Sequence, residues 1–324
     1  MKIEIAKKMC PFTRVPGAAC VLPRGQWLVR IFPTRFCFIH TVTKQVAVWD
    51  KMPKVLSQMM VTQDLEKGVV HVHSVSGSYT ICQRAEGIEI RGSAYALLDV
   101  PKEALVFAPA ERLSFGVHKA QDMEMIRRRC DLVEIIPLWH RLGMWIPDLP
   151  FAHIGTFTLL NSLQGLVDDG NKEKIEDLLK SLFLAGFSDM LVPRVHDDQL
   201  QGLVPEADPL ACSALPLLTE GSRLLRALVF QQQAGIWHIL PCLPPSFHSG
   251  RFIGEEISLE WSKKLIQKMI VRPKTTGMLR LVLQKSIARF RLRRSLKDPG
   301  VVFARDTQLE CQAGVPLFLD RFEK

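Results

Sequence analysis

The 324-residue chain predicts an α+β multidomain protein. An N-terminal antiparallel β-sandwich is expected over 1–118, a short central helical segment over 119–235, and a C-terminal antiparallel β-sandwich over 236–324. Three observations carry this reading. Both ends consist of short runs rich in Val, Ile, Thr and aromatic residues, separated by Gly, Pro, Lys or Asp. The middle places apolar residues at helical spacing. The charge changes sign at the same places: Lys+Arg against Asp+Glu is 15 to 9 in 1–118, 11 to 16 in 119–235 and 16 to 8 in 236–324, so two basic flanks enclose an acidic centre.

In the first part the runs are MKIEIA, QWLVRIF, FCFIHTV, QVAVWD, GVVHVHSV, GSYTICQ, GIEIRGSAYALLDV and ALVFA. Within Gly87–Gly92, Ile88 and Ile90 alternate with Glu89 and Arg91, which is strand periodicity. The middle opens with Met123, Ile126, Cys130, Val133 and Leu138 as one helical face. Arg127, Arg128 and Arg129 point around that helix, and Pro137 is expected to kink or end it. IGTFTLLNSLQGLV is a second helix. Asn171 is placed to cap a third, NKEKIEDLLKSLFLAGF, with Gly186 near its end. Residues 188–215 read as a long loop, and 217–233 as a last helix with Thr219 or Ser222 near its start. The third part reads as strands: IWHILPCL, EISLEW, IQKMIVRP, GMLRLVLQ, ARFRLRR, VVFAR, TQLECQ and PLFLDRF. Ile257, Leu259 and Trp261 alternate with Ser258 and Glu260.

Composition excludes several classes. With 47% hydrophobic and 23% charged residues the chain folds as an ordinary globular protein. No window approaches 18 consecutive apolar residues, so no membrane span is expected, and the N-terminus makes a poor signal peptide. The eight cysteines are scattered singly, against a zinc ribbon or a disulfide scaffold, and a reducing, cytoplasmic setting is expected. A pI near 9.2 suggests phosphate backbones, but the acidic centre repels them, and nucleic acid is not expected. The C-terminal sheet, with Arg289, Arg291 and Arg293 alternating along one strand, is the place left for an anionic partner. His71 and His73 point to one side of a strand without a third ligand. Neither a metal nor a cofactor is expected, and no Gly-rich phosphate loop, GxSxG or HExxH occurs.

GIWHILPCLPPSFHSGRFIGEEISLEW resembles the junction between the helical barrel and the C-terminal β-domain of six-hairpin glycosidases, most closely the inverting α-L-fucosidases. The matching residues are His238, Leu240, Pro241, Leu243, Pro244, Phe247 and Trp261, with Phe247 where the family commonly has Trp. Gly221 and Ser222 start the preceding helix, where relatives place small residues near the sugar pocket. The resemblance implies that the helical segment is a partial α/α barrel and that the protein is carbohydrate-active, either an inverting hydrolase or a degenerate, glycan-binding relative. Length departs from the family: twelve helices need roughly 300 residues, and 119–235 offers 117.

Inverting hydrolysis needs an acid and a base about 6.5–9.5 Å apart. Glu220, Asp198 and Asp197 are the catalytic candidates. The long loop also supplies His196 and Glu206, and the sheet-to-helix turn supplies His118 and Asp122. Trp139 and Trp145 offer faces for sugar stacking, and His238 lies in the junction. The expected partner is an oligosaccharide or glycoside. The alternative is a non-enzymatic interaction or assembly protein that kept the fold and meets a protein or an anionic partner on its basic C-terminal sheet.

Overall fold

The computed structural model describes residues 12–17, 19–103, 105, 111–116, 129, 131–149, 155–188, 192–193, 215–233, 235–295 and 297–324. The chain is a mixed α+β protein with mostly antiparallel sheets. MKIEIA and most of ALVFA lie outside the described residues.

The N-terminal part contains β1 (Phe12–Thr13), β2 (Ala19–Val21), β3 (Trp27–Ile31), β4 (Phe36–His40), β5 (Val46–Trp49), β6 (Met60–Asp64), β7 (Val69–Ser74), β8 (Gly77–Arg84), β9 (Gly87–Gly92) and β10 (Ala96–Leu98). They form two antiparallel sheets, β2-β3-β4-β5 and β1-β6-β7-β8-β9-β10. Alternating residues of each point into one shared core: Trp27, Val29, Phe36 and Phe38 from the first sheet, and Val70, Val72, Tyr79, Ile81, Ile88 and Ile90 from the second. Tyr79 meets Phe36 and Trp49 edge-on, at centroid distances of 5.4 and 5.6 Å, and so bridges the sheets. Buried Gln63 ties them again, its Oε1 accepting from the Val21 N–H at 2.7 Å.

β11 (Arg112–Ser114) lies before residue 118 in the chain, yet pairs with a strand of the C-terminal sheet. The helices follow: α1 (Leu132–Gly143), α2 (Phe157–Asp168), α3 (Lys172–Gly186) and α4 (Pro216–Val229), with the short hairpin β12 (Phe187–Ser188) and β13 (Val192–Pro193) between α3 and α4. α1 and α2 pack on α4, and α3 packs on α2. Asp131 caps α1, accepting from the Val133 N–H at 2.9 Å. Asn171 caps α3 as the sequence predicts, accepting from the Lys174 N–H. Two expectations are corrected. Pro137 does not end the helix: it lies inside α1, which runs on to Gly143 because Leu138, Trp139 and Leu142 beyond it are buried. The last helix stops at Val229, and Phe230–Gln233 forms a strand.

The C-terminal part contains β14 (Phe230–Gln233), β15 (Ile236–Ile239), β16 (Gly250–Ile253), β17 (Ile257–Ser262), β18 (Leu265–Val271), β19 (Gly277–Val282), β20 (Arg289–Arg293), β21 (Val301–Ala304), β22 (Gln308–Cys311) and β23 (Leu317–Glu323). One sheet runs β11-β16-β17-β18-β23-β20-β21, the other β14-β15-β19-β22, with β15 and β19 parallel. A single apolar cluster joins both sheets to the helices and takes in Val21, Leu28 and Leu65 of the N-terminal part. The junction motif fastens α4 to this body. Leu240, Leu243, Phe247 and Trp261 are all buried, Phe247 stacks on Phe115 at 4.5 Å, and the Trp261 indole donates to the Phe247 carbonyl at 3.1 Å. Each such large apolar side chain contributes about 1.5–3 kcal/mol through burial.

Candidate functional site

Asp197, Asp198, His196, Glu206, His118 and Asp122 lie outside the described residues. The other expected site residues are placed as follows. Trp139 is fully buried, edge-on to Phe187 at 4.6 Å. Trp145 is also buried, beneath the Arg24 guanidinium at 5.2 Å. Neither ring offers a face to solvent, because both fill the seam where α1 meets its neighbours. Glu220 is ion-paired with Arg223 one turn on, and Arg223 also binds Asp148. His238 is half-buried on β15, between buried Trp237 and Ile239.

Beneath these residues lies a trio that sequence spacing did not select: Ser222, His140 and Glu111. His140 Nδ1 is 2.9 Å from Ser222 Oγ, and Ser222 donates its own proton to the His140 carbonyl at 2.9 Å. Nδ1 is therefore the protonated nitrogen and donates to the serine. Glu111 is held by Arg226, whose Nε lies 2.8 Å from both carboxylate oxygens, and sits 3.9 Å from His140 Nε2. The residue types match a hydrolytic triad, but the proton directions are wrong for activating serine, and both His140 and Ser222 are buried. Burial, then the nearby Arg226 charge, pushes the His140 imidazole down to about 4. Ser222 and the neutral His140 form a latch between α1 and α4, with the Glu111–Arg226 ion pair beside it.

His71 and His73 stack at 6.1 Å, and among the described residues no group of three or more His, Cys, Asp or Glu is placed to hold a metal. Cys20, Cys82, Cys242 and Cys311 are buried, and burial pushes the Cys20 thiol up to about 12. No helix among the described residues is long and apolar enough to cross a membrane.

The arginine stripe of β20 is not a free cationic surface. Arg289 pairs with Glu323, while Arg291 and Arg293 share Asp320. The register explains this. On the solvent face of the seven-stranded sheet, Arg251, Glu260, Lys268, Asp320 and Arg291 lie opposite one another on five adjacent strands, a row of alternating sign. Arg251 meets Glu260 at 3.0 Å, and Arg291 meets both Asp320 oxygens at 2.7 and 2.9 Å. Hydrogen bonds from Arg291, assisted by the Arg293 charge, hold the Asp320 carboxyl below its ordinary value. The neighbouring row places half-buried Ile270 opposite Phe318. Arg251, Glu260, Lys268, Asp320, Ile270 and Phe318, together with Arg293, line a groove of about 340 Å³. The sequence shows which strand residues face outward, but not which strands become neighbours, so this row was not legible in it. A larger depression of about 470 Å³ at the end of the N-terminal sandwich is lined by Leu56, Met59, Met60 and two prolines. It has few convergent polar groups.

No family model matches the chain, and no curated protein matches it.

Proposed function

We propose that the protein is a non-catalytic carbohydrate-binding protein, a reduced relative of the six-hairpin glycosidases that retains the junction and the flanking β-structure, with the helical segment as a barrel remnant. The observation that carries this reading is the alternating row on the C-terminal sheet. Sugar hydroxyls both donate and accept, so a row in which carboxylates and cationic donors alternate, beside apolar Ile270 and Phe318, offers partners to a neutral polyhydroxyl ligand. The engagement of Glu220 by Arg223 argues against turnover there, and the burial of Trp139 and Trp145 takes away their faces for stacking, which favours the C-terminal sheet over the helical segment as the binding surface.

The second reading is an interaction protein for an anionic partner. It is favoured by the basic excess of 236–324, 16 Lys+Arg against 8 Asp+Glu, and opposed by Glu260 and Asp320, which such a ligand would meet within the groove.

A glycan array followed by calorimetry tests the proposal, alongside a panel of fluorogenic glycosides. The expected result is a neutral glycan bound, weakened about tenfold or more by Phe318→Ala and by Lys268→Ala, with no turnover. Turnover above background overturns the non-catalytic reading. Binding lost in Glu220→Gln or Asp198→Asn but unchanged in Phe318→Ala moves the sugar to the helical segment. Binding restricted to polyanions, falling steeply with salt, selects the second reading.

A further inference from the structure

The four-stranded N-terminal sheet ends at β5, whose outer side pairs with no strand among the described residues. The register Val21–Leu28–Ile39–Val46 crosses this sheet on its outward face. At one end Val21 and Leu28 are buried in the cluster they share with the helices. At the other end Val46 and Val48 are 60% and 50% exposed, and Val42 in the adjoining turn is 70% exposed. The apolar seam between the sandwich and the helices thus continues onto a bare sheet edge.

The backbone of that edge is in a defined phase. The His40 N–H donates to the Gln45 carbonyl at 2.9 Å. Hydrogen-bonded pairs alternate along an antiparallel ladder, so Gln45, Ala47 and Trp49 bond towards β4. Val46 and Val48 turn their own N–H and C=O groups outwards. Such an edge is a template for another strand.

We propose that β5 pairs antiparallel with β5 of a second copy of this chain about a two-fold axis at Ala47, making one continuous eight-stranded sheet. The register follows from the sequence. Centring on Ala47 sets Val46 against the partner's Val48, and both residues have outward-facing backbone groups. The same register brings Lys44, at the end of the turn before β5 (φ +60°), beside the end of the partner's strand where Asp50 lies, and symmetry repeats each pair. A shift by one residue mismatches both the hydrogen-bonding phase and the faces of the sheet. Moving the axis to Val48 places Val46 against aspartate, and moving it to Val46 places Lys44 against Val48. Only the Ala47 axis matches apolar with apolar and opposite charges with each other. Asp50 is exposed, and Lys44 Nζ now donates to the Thr41 carbonyl of its own turn at 2.6 Å, an exposed contact it can exchange.

Sedimentation equilibrium across a range of protein concentrations tests this. The expected result is a monomer–dimer equilibrium. Val48→Lys abolishes the dimer. Lys44→Glu weakens it about tenfold by opposing carboxylates twice, and Lys44→Glu with Asp50→Lys restores it. These positions are exposed, so circular dichroism is expected to show every variant folded. A wild-type chain that stays monomeric overturns the proposal and leaves the edge to a partner of another kind. A dimer that survives Val48→Lys, or a charge swap that fails to restore what Lys44→Glu weakened, overturns it too.

Discussion

The indole of Trp139 lies so close to Gly221 that a Cβ built there would stand 2.4 Å from Cζ2 of the ring. The same seam is closed at Gly143, where a Cβ would stand 2.3 Å from the Leu218 carbonyl oxygen. These two glycines let α1 and α4 touch. In an exposed helix, alanine in place of glycine stabilises by up to about 1 kcal/mol. Here the sign reverses. Gly221→Ala and Gly143→Ala are each expected to cost about 1–3 kcal/mol through overpacking, measured by urea unfolding. Unchanged or raised stability in both would refute the close packing of this seam.

His140 makes stability depend on pH. Its imidazole is held near 4 in the folded chain and returns to about 6.5 when unfolded. Between those values the unfolded chain binds the extra proton, so stability falls as pH drops from about 6.5 towards 4 and is unaffected by this group above 6.5. From pH 7 to pH 5 the expected loss is about 2 kcal/mol. His140→Gln, compared with wild type at both pH values, is expected to remove that part of the slope. The same slope in both proteins would rule the residue out as its source.

Arg24 joins the N-terminal sandwich to the helices. Its guanidinium covers Trp145, donates to the Glu66 carbonyl, and its backbone N–H donates to the Trp145 carbonyl at 3.3 Å. It does this at φ +78°, a left-handed conformation that costs about 1 kcal/mol or more for a residue with a Cβ. Arg24→Ala is expected to lose about 1–2 kcal/mol. Arg24→Gly, which loses the same contacts but relieves the backbone, is expected to melt above Arg24→Ala in calorimetry. The opposite order would argue against strain at this position.

Asp320 anchors two guanidinium groups at once. Asp320→Asn is expected to lower the melting temperature by several degrees, more than Glu323→Gln does, since Glu323 is half-exposed and holds Arg289 alone. Because the Asp320 carboxyl is depressed, its stabilisation is present above its unfolded value and is lost as pH falls through its lower folded value. Acid unfolding of Asp320→Asn should therefore be less steep than that of wild type. Equal steepness would mean the carboxylate contributes nothing to acid stability.

Strand runs such as GVVHVHSV and EISLEW were legible because period-two alternation reports one buried face, QWLVRIF through its β-branched and aromatic content although both its faces are buried, and the Asn171 cap because its chemistry is local. Three kinds of feature were not. Pro137 reads as a kink or an end, and the helix does not end there because burial of Trp139 and Leu142 outweighs the lost hydrogen bond. Phe230–Gln233 continues a helical pattern, yet pairs with β15 instead. Arg112–Ser114 belongs by sequence to the first part and by hydrogen bonding to the last. Of the expected site, Trp139, Trp145, Glu220 and His238 were chosen by residue type, which does not say whether an indole faces water or a neighbouring helix. The row from Arg251 to Arg291 depends on strand order, which residue type does not encode.

Strand order also governs how the molecule comes into being. Leu317–Glu323 is the final strand in sequence but occupies the interior of its sheet, hydrogen-bonded on both sides to β18 and β20. While a ribosome is still making the chain, those two neighbours do not close on each other and expose raw edges until that later segment arrives. The C-terminal body is then sealed in one late, long-range step, after the N-terminal sandwich, whose strands pair mostly with their immediate neighbours, has already had time to form.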